Sequence, residues 1–262
     1  MSDEFIINVS CSADKKALEG LAQAVQIIEQ ALPPLNLHYE PVGDEKNFGY
    51  EPIANLKAWL LAKYVPKTSI GFLFLDPQQK FKISVYIQLK LYELFVASGT
   101  PASEIPTIDF TLHIPYQDQF LAKGWLMAKA VGELCSPYHL VAKSFELSKM
   151  QSTLTRHPHD TAFEAPYGLP IFPGGIDLPR EAFIPYRFTW INYWSEETAA
   201  YMDWSDDKAS LFYKTERTQN GGLMLQLTEQ PTTMERVEHQ DALRNAYLAF
   251  PKVGGRYWAE KD

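Results

Sequence analysis

The chain has 262 residues, 46% of them hydrophobic, with 24 basic against 32 acidic side chains and a net charge of −8. That length and apolar content can bury a substantial core, which excludes a chain disordered along most of its length. The acidic balance works against a phosphate-binding surface, and two cysteines, Cys11 and Cys135, are too few for a disulfide framework or a cysteine zinc site.

Met1-Ser2-Asp3-Glu4 is acidic, and the following Phe5–Val9 run is too short and wrongly flanked for a signal peptide. No later run approaches the roughly 20 apolar residues of a membrane span, so a soluble, cytoplasmic protein is expected. Phe5–Val9 itself predicts a strand. Leu18, Leu21, Ala22, Val25, Ile28 and Leu32 recur at helical spacing and stop at Pro33-Pro34. Leu56, Trp59, Leu60 and Tyr64 predict a second helix. Strands over Ile70–Leu75 and Phe81–Leu91 flank the turn at Asp76–Lys80, and every odd position of the second is apolar, the pattern of a half-buried strand. Ile108, Phe110, Leu112 and Ile114 alternate with polar residues in the same way. A helix over Gln117–Leu134 and a strand over His139–Phe145 complete this half.

Thr155 to Pro185 is rich in proline and glycine, which excludes long regular elements. Beyond it, Phe188, Trp190, Asn192 and Trp194 alternate with Thr189, Ile191 and Tyr193 as an aromatic strand. Ser195 stands at an N-cap position, with Glu196 and Glu197 in the first helical turn, where carboxylates oppose the positive end of the dipole. Strands over Leu211–Arg217 and Leu223–Glu229 surround Asn220-Gly221-Gly222, whose glycines suit a tight hairpin. A last helix carries Leu243, Ala246, Tyr247 and Phe250 on one face. The predicted fold is α+β with two related mixed subdomains, each a small antiparallel-rich sheet covered by helices: residues 1–154, a connection at 155–187, and residues 188–262.

Residues 190–241 hold ten acidic against four basic side chains, a local balance of −6 within the net −8. Such an excess repels nucleic acid and attracts a basic protein. A surface read by a protein partner is therefore expected at Trp194, Glu196, Glu197, Asp203, Trp204, Asp206 and Asp207, where exposed aromatics beside carboxylates would act as interface anchors.

Enzymatic signals are weak by comparison. His157-Pro158-His159-Asp160 places two histidines at i, i+2 with a carboxylate, a ligand set for a metal-dependent hydrolase if the segment is extended. Trp190, Trp194 and Trp204 could instead line a carbohydrate-binding platform. Glu133, Cys135 and His139 hint at a thiol with a nearby base, but Cys135 falls on an apolar helix face with Leu121, Trp125 and Ala128. GxSxG, HExxH and P-loop motifs are absent from the sequence. No catalytic residue, metal or cofactor is expected.

Three segments carry a family resemblance: Trp190 to Ala200, Gly222 to Pro231, and His239 to Pro251. Their order and spacing resemble the immunity protein 52 family of bacterial polymorphic-toxin systems, over roughly Pro166 to Arg256. The resemblance implies an antitoxin that binds a cognate secreted effector. Members of that family typically accompany toxins with a restriction-endonuclease-like nuclease domain, so the expected partner is a type VI secretion nuclease effector whose DNA-holding cleft should be basic, and an acidic inhibitor face would be complementary. The family supplies no catalytic residues to carry over.

Overall fold

The computed structural model describes residues 4–65, 68–88, 107–153, 155–156, 169, 172–173 and 183–254. Strand β1 (Glu4–Ser12) leads into helix α1 (Lys15–Ala31), followed by the hairpin β2 (Tyr39–Val42) and β3 (Gly49–Pro52), and α2 (Leu56–Lys63). Strands β4 (Ile70–Asp76), β5 (Phe81–Ile87) and β6 (Thr107–Pro115) precede the helices α3 (Asp118–Leu121) and α4 (Gly124–Cys135). Next come β7 (His139–Ser144), α5 (Phe145–Thr153) and the short parallel pair β8 (Thr155–Arg156) and β9 (Phe172–Pro173). The chain then forms β10 (Ile191–Trp194), α6 (Glu196–Tyr201), a 3-10 helix at Asp206–Leu211, β11 (Lys214–Arg217), β12 (Leu223–Gln226) and α7 (Val237–Ala249).

The α+β class matches the sequence expectation, but the two small sheets are one. Ten antiparallel strands lie in the order β11-β12-β10-β7-β1-β6-β5-β4-β2-β3. The halves join where β10 pairs with β7, Ile191 opposite Ala142 and Trp194 opposite His139. Alternation then decides which core each residue enters. Phe5, Ile7, Val9, Phe110, Leu112, Ile191 and Tyr193 face α1 and α4 in the larger core. Trp194, Leu223 and Leu225 point to the opposite face, where Phe212, Leu243, Ala246, Tyr247 and Phe250 close a second core.

Side chains cap the first two helices. The Asp14 carboxylate accepts from Lys16 N at 2.8 Å and Ala17 N at 3.1 Å, and Asn55 Oδ1 accepts from Ala58 N at 3.0 Å. Leu18, Leu21, Val25 and Ile28 are fully buried along one stripe of α1. In β5, Phe81, Ile83, Val85 and Ile87 are buried while Tyr86 stands out to solvent. Leu89 and Leu91 lie outside the described residues.

Four departures from the sequence expectations are seen. The single helix expected over Gln117–Leu134 breaks after Leu121, and Gly124 starts the second piece against the Trp190 ring, which a Cβ would meet at 3.0 Å. The strand expected through Phe145 stops at Ser144, whose hydroxyl accepts from Leu147 N at 3.1 Å and begins α5. The strand expected from Leu211 begins at Lys214, because Asp206–Leu211 coils as a 3-10 turn. Hairpin β2–β3 was not expected at all, since its eight residues carry two prolines and no apolar alternation.

Helices α1 and α4 cross closely at Gly20. A Cβ there would lie 2.1 Å from the Leu134 carbonyl oxygen, a backbone atom that cannot swing aside. Gly20→Ala is therefore expected to destabilise the fold by about 2–3 kcal/mol despite alanine's better helix propensity, measured by urea denaturation.

Candidate partner-binding site

The acidic surface is built around α6. The Ser195 hydroxyl accepts from Thr198 N at 3.1 Å, the cap anticipated for this junction, and Glu196 and Glu197 project from the first turn into solvent. Thr198 is buried and donates to the carbonyls of Tyr138 and Phe183 at 3.0 and 2.8 Å in a shared bond, which ties the helix to the end of β7. The chain then turns at Asp203, in a left-handed conformation at φ 54°, and exposes Asp206 and Asp207 at the start of the 3-10 turn.

Two lysines thread this rim. Lys252 Nζ lies 2.7 Å from the Asp203 carboxylate and donates to the Tyr201 carbonyl, while Lys208 Nζ donates to the Asp203 carbonyl. The hydrogen bond from Lys252 holds the Asp203 carboxyl below its usual range, and one from Ser205 does the same for Asp207. Asp203 is thus a partly neutralised corner, and Glu196, Glu197, Asp206 and Asp207 are the outward charges.

The aromatics expected as anchors occupy other places. Trp194 is 1% exposed, packed edge-on to Phe250 at 5.2 Å, because even-numbered positions of β10 face the second core. Trp204 is half-buried and stacked parallel to Phe250 at 6.0 Å. Trp190 is 4% exposed, and its indole donates to the Thr228 carbonyl at 2.8 Å. The three tryptophans thus form no sugar-binding platform: two are core residues on different faces, and the third leans on the core's edge. Trp194 is removed from the contact surface and becomes a structural residue.

His157, His159 and Asp160 lie outside the described residues, and among the described residues no group of three or more His, Cys, Asp or Glu side chains could hold a metal ion. Cys11 and Cys135 are buried, and burial pushes both thiols above their ordinary pKa, against a nucleophilic role. No helix among the described residues is long and apolar enough to cross a membrane.

Sequence reasoning missed a second concave surface at the far end of β7. Two adjoining hollows of about 560 and 350 Å³ share Asp118, Leu121, Gln230 and Pro231. Their wall is the loop after β12, and polar bonds hold it in place. Gln226 Nε2 donates to the Thr228 and Glu229 carbonyls, and Thr228 Oγ1 lies 2.6 Å from the Gln230 carbonyl. Thr233 N donates to His239 Nδ1 at 3.1 Å. The signal available in the sequence was the run of threonines, Thr228, Thr232 and Thr233, around Pro231, which reads as a turn rather than as a wall.

The chain matches the family described as "Domain of unknown function (DUF5953)" over residues 14–258. No curated protein matches it. Among solved structures it is similar to "Pseudomonas aeruginosa T6SS protein PA0821", with a TM-score of 0.59 and 12% identity, over 95% of this chain and 74% of that one. At that identity the likeness establishes a shared fold.

Two outcomes follow from this geometry. Trp194→Ala should cost about 3–5 kcal/mol of stability in thermal or urea unfolding, as expected of a core tryptophan rather than a surface contact. Burial lowers the pKa of His139 to about 4 and also lowers that of His239, so both imidazoles are neutral in the fold and protonate more readily when unfolded. Their contribution is fully present above the ordinary histidine pKa of about 6.5 and is lost as the pH falls below it, for His139 down to about 4. Urea midpoints measured from pH 7.5 to 4.5 should decline, and the decline should be shallower in His239→Gln. The family match spans residues 14–258, nearly the whole chain, and the chain belongs to the DUF5953 family.

Proposed function

We propose that this protein is an immunity protein, which neutralises a cognate secreted toxin by stoichiometric contact and without catalysis. The toxin class that fits best is a type VI secretion nuclease effector. The observation that carries this reading is the outward set of carboxylates at Glu196, Glu197, Asp206 and Asp207, within a stretch holding −6 of the chain's charge. A nuclease must attract phosphate backbones, so its DNA-binding cleft is positive, and a rigid acidic surface is complementary to it. The immunity protein 52 resemblance of three segments in this half supports the same reading, as does the fold shared with a T6SS protein of Pseudomonas aeruginosa.

The local construction suits such a role. Helix α6 is capped by Ser195 and anchored through Thr198, so its carboxylates are presented by a fixed frame and little ordering entropy is lost on binding. Inhibition would follow from covering the nuclease cleft or from blocking an assembly the toxin needs. The site of action would be the cytoplasm of the producing cell, where the toxin would otherwise meet DNA.

The test is the double variant Glu196→Lys/Asp207→Lys, titrated against a nuclease effector that the parent protein neutralises. The expected result is an association rate about tenfold slower, a shallower salt dependence and weaker protection of cells expressing the toxin. Unchanged affinity and protection would overturn the assignment of this surface.

A further inference from the structure

We infer that the cleft between α3, α5 and the loop after β12 is a second docking site, which takes an extended lysine- or arginine-bearing segment of a protein partner. It lies apart from the acidic rim. β7 runs from His139, opposite Trp194 and next to α6, to Ser144 on the cleft wall, a span of about 17 Å.

The cleft's charge is strongly one-sided. Its lining includes five carboxylates, those of Glu4, Asp118, Glu146, Glu229 and Glu235, and one cation, Arg236. Glu4 is already engaged, 3.2 Å from Lys82 Nζ and 3.1 Å from His113 Nδ1. The other four are exposed, and no basic side chain among the described residues pairs with them; Glu229 accepts only from the Tyr213 hydroxyl, which leaves its charge in place. Walls that hold like charges around a concavity focus a negative potential inside it, and a cation lowers that energy most.

Apolar residues set the kind of cation. Tyr116 and Phe145 are each 42% exposed at the mouth, Val237 next to Arg236 is 65% exposed, and Leu121 and Pro231 line the interior. Exposed aromatics beside carboxylates favour a ligand whose charges are spaced by apolar groups, as in a peptide whose basic and apolar side chains alternate. Phosphate-bearing ligands are repelled. The wall is preformed, held by the Trp190 indole, Gln226, Thr228 and His239 bonds described above, so docking needs little reorganisation.

The probe is a blocked hexapeptide of alternating lysine and phenylalanine, titrated into the full chain by calorimetry, with the tryptophan indole resonances followed by NMR. Trp125 and Trp190 line the smaller hollow and report occupancy. The expected result is binding that shifts these two indoles and weakens about tenfold in Asp118→Lys/Glu235→Lys, whose fold is checked by circular dichroism. Glu146→Gln serves as a milder variant, expected to weaken binding about threefold. Glu196→Lys/Asp207→Lys should bind the peptide as the parent does. The proposal is overturned by absence of binding, by equal binding of a glutamate–phenylalanine peptide, or by spermine binding as tightly as the peptide, which would mark a small-polycation site. It is equally overturned by a dimer that dissolves in the cleft variant, which would make the occupant a second copy. The peptide titration uses no toxin, so its failure leaves the rim assignment standing, and failure of the rim variant leaves the cleft standing.

Discussion

The pairing of β10 with β7 is the constraint on which the remaining structure depends. Four residues, Ile191 to Trp194, join a sheet made in the first half of the chain to a hairpin made in the second. Because strand side chains alternate, this register sends Ile191 and Tyr193 to the face under α1 and α4 and Asn192 and Trp194 to the face under α7. A slip by one residue would exchange the two sets and expose both cores. Asn192 guards against that slip: fully buried, its amide accepts from Thr189 N and donates to Thr189 O, closing the turn that delivers the strand in register.

The same register determines what is left for a partner. With Trp194 turned inward, α6 begins at the end of the strand and its carboxylates have nowhere to go but solvent. Tyr193, on the other face, fills the gap between Gly132 of α4 and Gly222 of the hairpin, and burial raises its hydroxyl pKa to about 12. Asn220 at the hairpin tip donates to the Gly132 and Glu133 carbonyls, completing the C-terminal end of α4. Hairpin, helix and strand are thus locked together, and both the acidic rim and the cleft sit on a rigid frame.

Much of the fold was legible locally. The stripe Leu18-Leu21-Val25-Ile28, the alternation Phe81-Ile83-Val85 and the cap Ser195 are short-range patterns whose meaning does not depend on the rest of the chain. The boundaries that failed were set by distant residues: α3 and α4 are separated where Gly124 meets Trp190, and the β2–β3 hairpin is held at the sheet edge through the single pair Tyr39 and Leu75. The outward carboxylates were legible because exposure is the ordinary fate of charge. The tryptophans were not, because an aromatic strand buried on both faces and one with an exposed face have the same composition.

Local chemistry along the chain sets the main helices and strands, the Ser195 cap, the acidic excess of residues 190–241 and the inward habit of the alternating apolar positions. Tertiary structure alone decided that the two halves share one sheet, that Trp194 is core, and that Asp118 and Glu235, 117 positions apart, line one cleft with Glu146. The reason is physical: hydrophobic burial and strand pairing act across the whole chain, so which face a residue presents is fixed by partners that its neighbours in sequence do not reveal.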